Sequence, residues 1–236
     1  MDSNNIYQQN IEIVALRWPN LSQLLEELPI DFDRFELLNG NNPALVCDGM
    51  QINSSYDSCA EAKVIVEQLP GKSNTVHVYG IGSGEVIAMA LNSAQQVVAY
   101  IFNLMLFKVT LQVFDCRRWL ANEQVSLEMA ENHRHVSKPF VAIPAELMVC
   151  DDSSAMLRDR VTLELDSPFI DSKTCFDNPE LKQRIEANLA LLVQDKDITE
   201  FPLAADKLCV IAAAGPTLSL QMSWLKTQQA NDNIVL

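Results

Sequence analysis

Residues 75–102 place the tightest limit on the fold. TVHVYG (75–80) is rich in β-branched and aromatic residues and reads as a strand. It runs into a turn with glycines at Gly80, Gly82 and Gly84, and the stretch from Gly84 to Asn92 reads as a helix. QVVAYIF (96–102) is a second strand. A strand, a glycine turn, a helix and another strand in so short a stretch is the unit of parallel, doubly wound sheets. The alternation continues with a helix from Leu104 to Phe114 and strands at QVSLEMA (124–130) and PFVAI (139–143). The predicted class is α/β, a Rossmann-like doubly wound, mostly parallel sheet with an N-terminal helical and short-strand subdomain.

The flanking segments fill out this plan. Residues 5–28 read as helical, interrupted by Pro19. FELL, ALVCD and MQIN, within 34–53, read as short strands separated by Gly40, Asn41, Asn42, Pro43 and Gly49. Asp57 to Leu69 reads as a helix capped by Ser55 or Asp57, with Ala60, Val64, Ile65 and Leu69 as its apolar face. VTLELDSPF (161–169) alternates as a strand does, and Pro179 to Gln194 reads as a helix with Leu181, Ile185, Leu189 and Leu192 on one side. KLCVIAAAG (207–215), Leu218 to Gln229 and NIVL (233–236) then read as strand, helix and strand. The expected domains are 1–72, 73–204 and 205–236. The last is expected to be the front of a further unit, since a βαβ unit this short cannot bury its own faces. Its apolar end suggests strand-edge pairing into a homo-oligomer.

Two loops carry the patterns that chemistry uses. In VYGIGSGEVIA (78–88) the glycines give a tight turn, let a ligand approach the backbone and lead to a helix N-terminus. The GxGxG spacing is closer to the S-adenosylmethionine version of such loops than to the GxGxxG dinucleotide version. A working site of either kind normally places an acid at the end of the next strand to hold ribose hydroxyls. Here that position falls near Ile101, the nearest polar residue is Asn103, and Asp115 lies a helix away. Gly80, Gly82, Gly84 and Asn103 are therefore expected to form a degenerate nucleotide loop kept as scaffold. In AAAGPTLSLQMSWL (212–225), Gly215, Pro216 and Thr217 join a buried strand to a helix. Pro216 suits a first helical turn, Thr217 can cap it, and the free N–H groups suit a phosphate. The same residues also make an ordinary well-formed helix start.

Other chemistry has less support. His77 lies inside a strand and reads as a core or edge residue. His133 and His135 alternate near Glu128 and Glu131, which would put two imidazoles on one side of an extended segment, but spacing places no third metal ligand. The six cysteines include no CxxC pair, and several sit in apolar runs. With 17 basic and 31 acidic residues the chain carries −14, so a nucleic-acid partner is not expected. The acid lies in 1–72 and 151–204, either side of a nearly neutral 73–150. At 48% hydrophobic residues the chain has ample material for a core. No apolar run reaches the ~20 residues a membrane helix needs. The N-terminus MDSNNIYQQN is polar and acidic, unlike a signal peptide, so the expected compartment is a reducing cytoplasm.

Four segments carry a family resemblance. NIYQQNIEIVALRWPNLSQLLEEL resembles the opening helices of the motility accessory factor family, and GMQINSSYDSCAEAKVIVEQL resembles that family's Ser-x-Tyr-Asp-x-x-x-Glu-Ala segment. In this chain it is Ser55, Tyr56, Asp57, Glu61 and Ala62. VHVYGIGSGEVI resembles the family's first Rossmann-like strand and loop, and VIAAAGPTLSLQMSWLK its Gly-Ala-Gly-Pro-Ser-Leu motif. Thr217 stands for the usual Ser and keeps the hydroxyl, whereas Ala213 replaces the first Gly.

The resemblance implies a bacterial glycosyltransferase that moves a nonulosonic acid from a CMP-activated donor to Ser or Thr of flagellin. It places Gly215, Pro216 and Thr217 near the nucleotide phosphate. It also implies that this chain holds the N-terminal region and only the start of the transferase domain. No cofactor is then expected in this chain, and its role is scaffold or acceptor docking. Three alternatives stay open: an S-adenosylmethionine-dependent methyltransferase-like protein, a relative of the archaeal 6-hydroxymethylpterin diphosphokinases, and a non-catalytic interaction module.

Overall fold

A computed structural model describes residues 3–174, 178–192, 208–209, 218–228 and 234–235. The chain divides into two units, Met1–Ser172 and Lys173–Leu236.

The first unit opens with α1 (Ser3–Arg17) and α2 (Pro19–Glu27), parted where Pro19 takes the first position of α2. A small antiparallel sheet follows, β1 (Phe35–Asn39), β2 (Pro43–Cys47) and β3 (Met50–Gln51), in that spatial order. Next comes α3 (Ser58–Val66), capped by the Asp57 carboxylate accepting from Ala60 N–H. Its buried contact is Ala62. Val64, expected on the apolar face, is exposed, and Ile65 is only partly buried.

The central sheet is parallel. It comprises β4 (Ser73–Tyr79), β5 (Ala94–Ile101), β6 (Val125–Met129) and β7 (Phe140–Ala142) in the order β6-β5-β4-β7. In sequence terms that is 3-2-1-4, the Rossmann half-sheet arrangement. Between the strands run α4 (Glu85–Ala90), α5 (Leu104–Val113) and the short α6 (Arg117–Leu120). After β7 come α7 (Pro144–Met148) and α8 (Ala155–Thr174).

Period-two alternation sorts the strand residues onto two faces. Val76, Val78, Val97, Ala99, Ile101, Val125, Leu127 and Val141 meet Ile11, Val14, Leu21, Leu25, Ile87, Phe107, Leu111 and Trp119 in one cluster. Tyr79, Tyr100, Phe102 and Ala142 meet Leu147, Leu157 and Val161 on the other face. Residues before 73 thus share the core of the parallel sheet, and the expected boundary at 72/73 does not separate two cores. Arg17 ties α1 to the sheet, donating to the carbonyls of Leu120, Asn122 and Val125 at 2.5, 2.8 and 2.6 Å.

The expected strand at 161–169 is not formed, because those residues are part of α8. The burial explains why. Leu157 and Val161, four apart on a helix, are buried at 1% and 0%, whereas Leu163 is 61% exposed, so the alternation of 161, 163 and 165 finds no partner strand. Pro168 sits inside this helix.

The second unit has α9 (Pro179–Leu192), then β8 (Leu208–Cys209), α10 (Leu218–Gln228) and β9 (Ile234–Val235). β8 and β9 pair in parallel, Leu208 with Ile234 and Cys209 with Val235. Leu189 on α9 is exposed, so the expected apolar face is not covered along its length. Among the described residues no helix is long and apolar enough to cross a membrane.

Candidate functional site

The glycine turn joins β4 to α4. Gly80, Gly82 and Gly84 have φ of 110°, 56° and 89°, values that side-chain-bearing residues rarely adopt. The sequence folds this way because the strand must reverse into a helix within a few residues. Gly84 N–H donates to the Ile81 carbonyl at 2.9 Å, and Ala88 N–H to that of Gly84 at 3.0 Å.

The exposed backbone amides of such a turn are what a ligand's anionic group would take. Here one of the chain's own carboxylates takes two of them. Glu146, on α7 just after β7, accepts from Ile81 N–H and Gly82 N–H, both at 2.7 Å and both on Oε2. Glu146 is 1% exposed. Burial pushes its carboxyl up to about 7, with the N–H groups of Gly82, Ile81 and Phe102 opposing that rise.

The space above the glycines is filled as well. A Cβ on Gly80 would lie 3.1 Å from both Glu146 Oε2 and Ile143 Cβ. One on Gly82 would lie 2.9 Å from Ile143 Cδ1, and one on Gly84 would lie 2.2 Å from Trp119 Nε1. The glycines therefore admit the protein's own side chains. The cavity beside Gly82, Ser83 and Glu85 measures about 20 Å3, room for about one water against the several hundred Å3 of a typical ligand pocket.

The end of β5 is equally committed. Asn103 is fully buried, its Oδ1 accepting from Leu106 N–H at 2.8 Å to cap α5 while its Nδ2 donates to the Val149 carbonyl at 2.7 Å. Asp151 accepts from Leu104 N–H at 3.1 Å. Asp115 pairs with Arg117. No carboxylate in these contacts is placed to hold a ribose. The residues present do not fit S-adenosylmethionine or a dinucleotide at this turn.

The other sequence candidates do not gather here. Gly215, Pro216 and Thr217 lie outside the described residues. His77 Nδ1 lies 3.0 Å from the Tyr100 hydroxyl, and burial lowers its basicity, with His133 adding to that. His133 approaches Glu128 at 3.5 Å, while His135 meets the Arg160 guanidinium, so the two imidazoles serve different partners. Among the described residues no three His, Cys, Asp or Glu groups are placed to hold a metal ion. Sequence reasoning missed Glu146. The signal was a single acid inside the apolar run FVAIPAELMVC, directly after a predicted strand.

No family model matches the chain, and no curated protein matches it. Among solved structures it is similar to spermidine synthase from Thermotoga maritima at 10% identity and a TM-score of 0.35, over 50% of this chain and 48% of that one. It is similar to a spermidine synthase in complex with the transition-state analogue AdoDATO at 11% identity and a TM-score of 0.35, with the same coverage. The aligned region spans about half the length of each.

Proposed function

We propose that residues 3–172 are a non-catalytic Rossmann-like docking module, the N-terminal part of a flagellin-directed nonulosonic acid glycosyltransferase. The observation that carries the non-catalytic reading is Glu146. A turn whose Ile81 and Gly82 N–H groups are bonded at 2.7 Å to an internal carboxylate does not offer those two donors to a ligand's anion. The ordered resemblance of four segments supports the transferase assignment and flagellin as partner. On this reading the CMP-activated donor is handled beyond the first unit, and Gly215, Pro216 and Thr217 belong to that task.

The test is made in the source cells. Deleting the gene should remove the nonulosonic acid increments from the intact mass of flagellin. An unchanged flagellin mass would contradict the assignment.

A second reading, S-adenosylmethionine-dependent group transfer, is favoured by the 3-2-1-4 strand order and the GxGxG turn at the end of the first strand. Glu146 stands against it.

A further inference from the structure

Strand β6 is one edge of the parallel sheet, as β7 is the other. In a parallel ladder alternate residues turn their backbone groups toward the neighbouring strand. Val97 N–H donates to the Gln124 carbonyl at 2.8 Å, which fixes the phase. Ser126 and Glu128 therefore bond to β5, and Val125, Leu127 and Met129 turn their N–H and C=O groups outward.

Val125 is already satisfied. Its N–H donates to the Asn122 carbonyl at 3.0 Å, and its C=O accepts from Arg17 at 2.6 Å. The Met129 C=O belongs to the turn Ala130–Asn132 that it caps, which leaves the Leu127 N–H and C=O and the Met129 N–H on the outer side. Beside them lies a cleft of about 410 Å3, walled by Trp18, Leu21 and Leu24 at the α1–α2 junction and by Ile101 at the end of β5 with Leu127 and Met129 of β6. A groove between a helix and an open strand edge, of ligand-pocket size, is the geometry of peptide recognition by strand addition.

The charge around the groove selects the occupant. Glu128 and Glu131 line it and no Lys or Arg does. Arg17 stands at one end with its guanidinium spent on three carbonyls. A second copy pairing edge to edge would oppose these carboxylates to their own kind, on a chain of net charge −14. We propose that the groove between β6 and α2 binds an extended basic peptide as a fifth strand antiparallel to β6, which turns the N–H groups of its apolar residues toward Leu127 and Met129. Its apolar side chains lie on Trp18 and Leu24, and its alternating basic ones meet Glu128 and Glu131. The inference rests on the docking reading and names where docking occurs.

The probe is acetyl-Lys-Val-Lys-Val-Lys-amide, titrated into the isotope-labelled full chain while backbone amide resonances are followed. The expected result is saturable shifts at Leu127 and Met129, with affinity weakened about tenfold or more when the valine nitrogens are methylated or the lysines become glutamates. Leu24→Lys, on a half-exposed side chain of the groove wall, should weaken binding similarly without unfolding the protein. Equal binding of the N-methylated peptide, shifts confined elsewhere, or no saturation at about 1 mM would overturn the proposal. So would a dimer that Leu24→Lys dissolves, which would assign the groove to a second copy.

Purified flagellin separates the two claims. If both the native chain and Leu24→Lys retain it equally, the groove is wrong and docking stands. If neither retains it while the peptide still binds at β6, the groove stands and the docking reading falls.

Discussion

Glu146 gives this protein a pH dependence that its glycine turn alone would not. Its carboxyl is raised from 4.5 to about 7 in the folded chain, chiefly by burial. An acid with a raised folded pKa holds its proton more tightly when folded. The stability it contributes is therefore full below about 4.5 and is lost as pH rises through about 7. The loss across that window is about 3 kcal/mol. Glu146→Gln keeps an oxygen for Ile81 N–H and Gly82 N–H and has no charge to desolvate. Denaturant melts from pH 4.5 to 8 should show the native protein weakening and the Gln variant lacking that component. An identical slope in both would contradict the assignment. The glycines were legible in the sequence, and so was the lack of an acid near Ile101. The closure of the turn was not. Nothing in local sequence tells that a glutamate some sixty residues on folds back onto the amides of Ile81 and Gly82, because a parallel crossover brings the two together.

At the scale of elements, strand and helix periodicity served well where a face had a partner. β4, β5 and β6 alternate cleanly because both sheet faces are packed, and α1 and α2 part at Pro19 as proline requires. The same logic failed at 161–169, where Val161, Leu163 and Leu165 alternate without a strand to meet, and the i, i+4 pair Leu157 and Val161 decides the outcome. It also failed on α3, whose short length leaves Ala62 rather than Val64 inside. The least legible link is Arg17, whose guanidinium crosses to three carbonyls more than a hundred residues away and stacks on the Trp18 ring at 4.2 Å. Removing it strands those acceptors around the start of β6. Arg17→Ala should cost about 1–3 kcal/mol in a urea melt, with the lysine variant recovering only part, since it has no fork to span the carbonyls. A loss below about 0.3 kcal/mol would show the contacts to be solvent-equivalent.

For the whole molecule, the two-unit division at Ser172–Lys173 carries the expectation. The apolar clusters of the parallel sheet and the small antiparallel sheet all lie before that point. A fragment of residues 1–172 should therefore unfold in one cooperative transition, its midpoint within about 4 °C of the corresponding transition of the full chain. A molten fragment would mean that the later residues complete the core. The sequence hid this boundary because α8 runs through it with no Gly-rich or Pro-rich linker to mark it, and the charge shift lies at 150/151 instead.

The central claim is that this Rossmann-like unit has closed its own ligand turn. Titration calorimetry with S-adenosylmethionine tests it most directly, run on the native chain up to about 1 mM ligand. The account predicts no saturable heat, because Glu146 holds the Ile81 and Gly82 amides and Ile143 and Trp119 cover the glycines. Saturable binding with a dissociation constant of about 100 μM or tighter would contradict it and return the chain to the group-transfer enzymes.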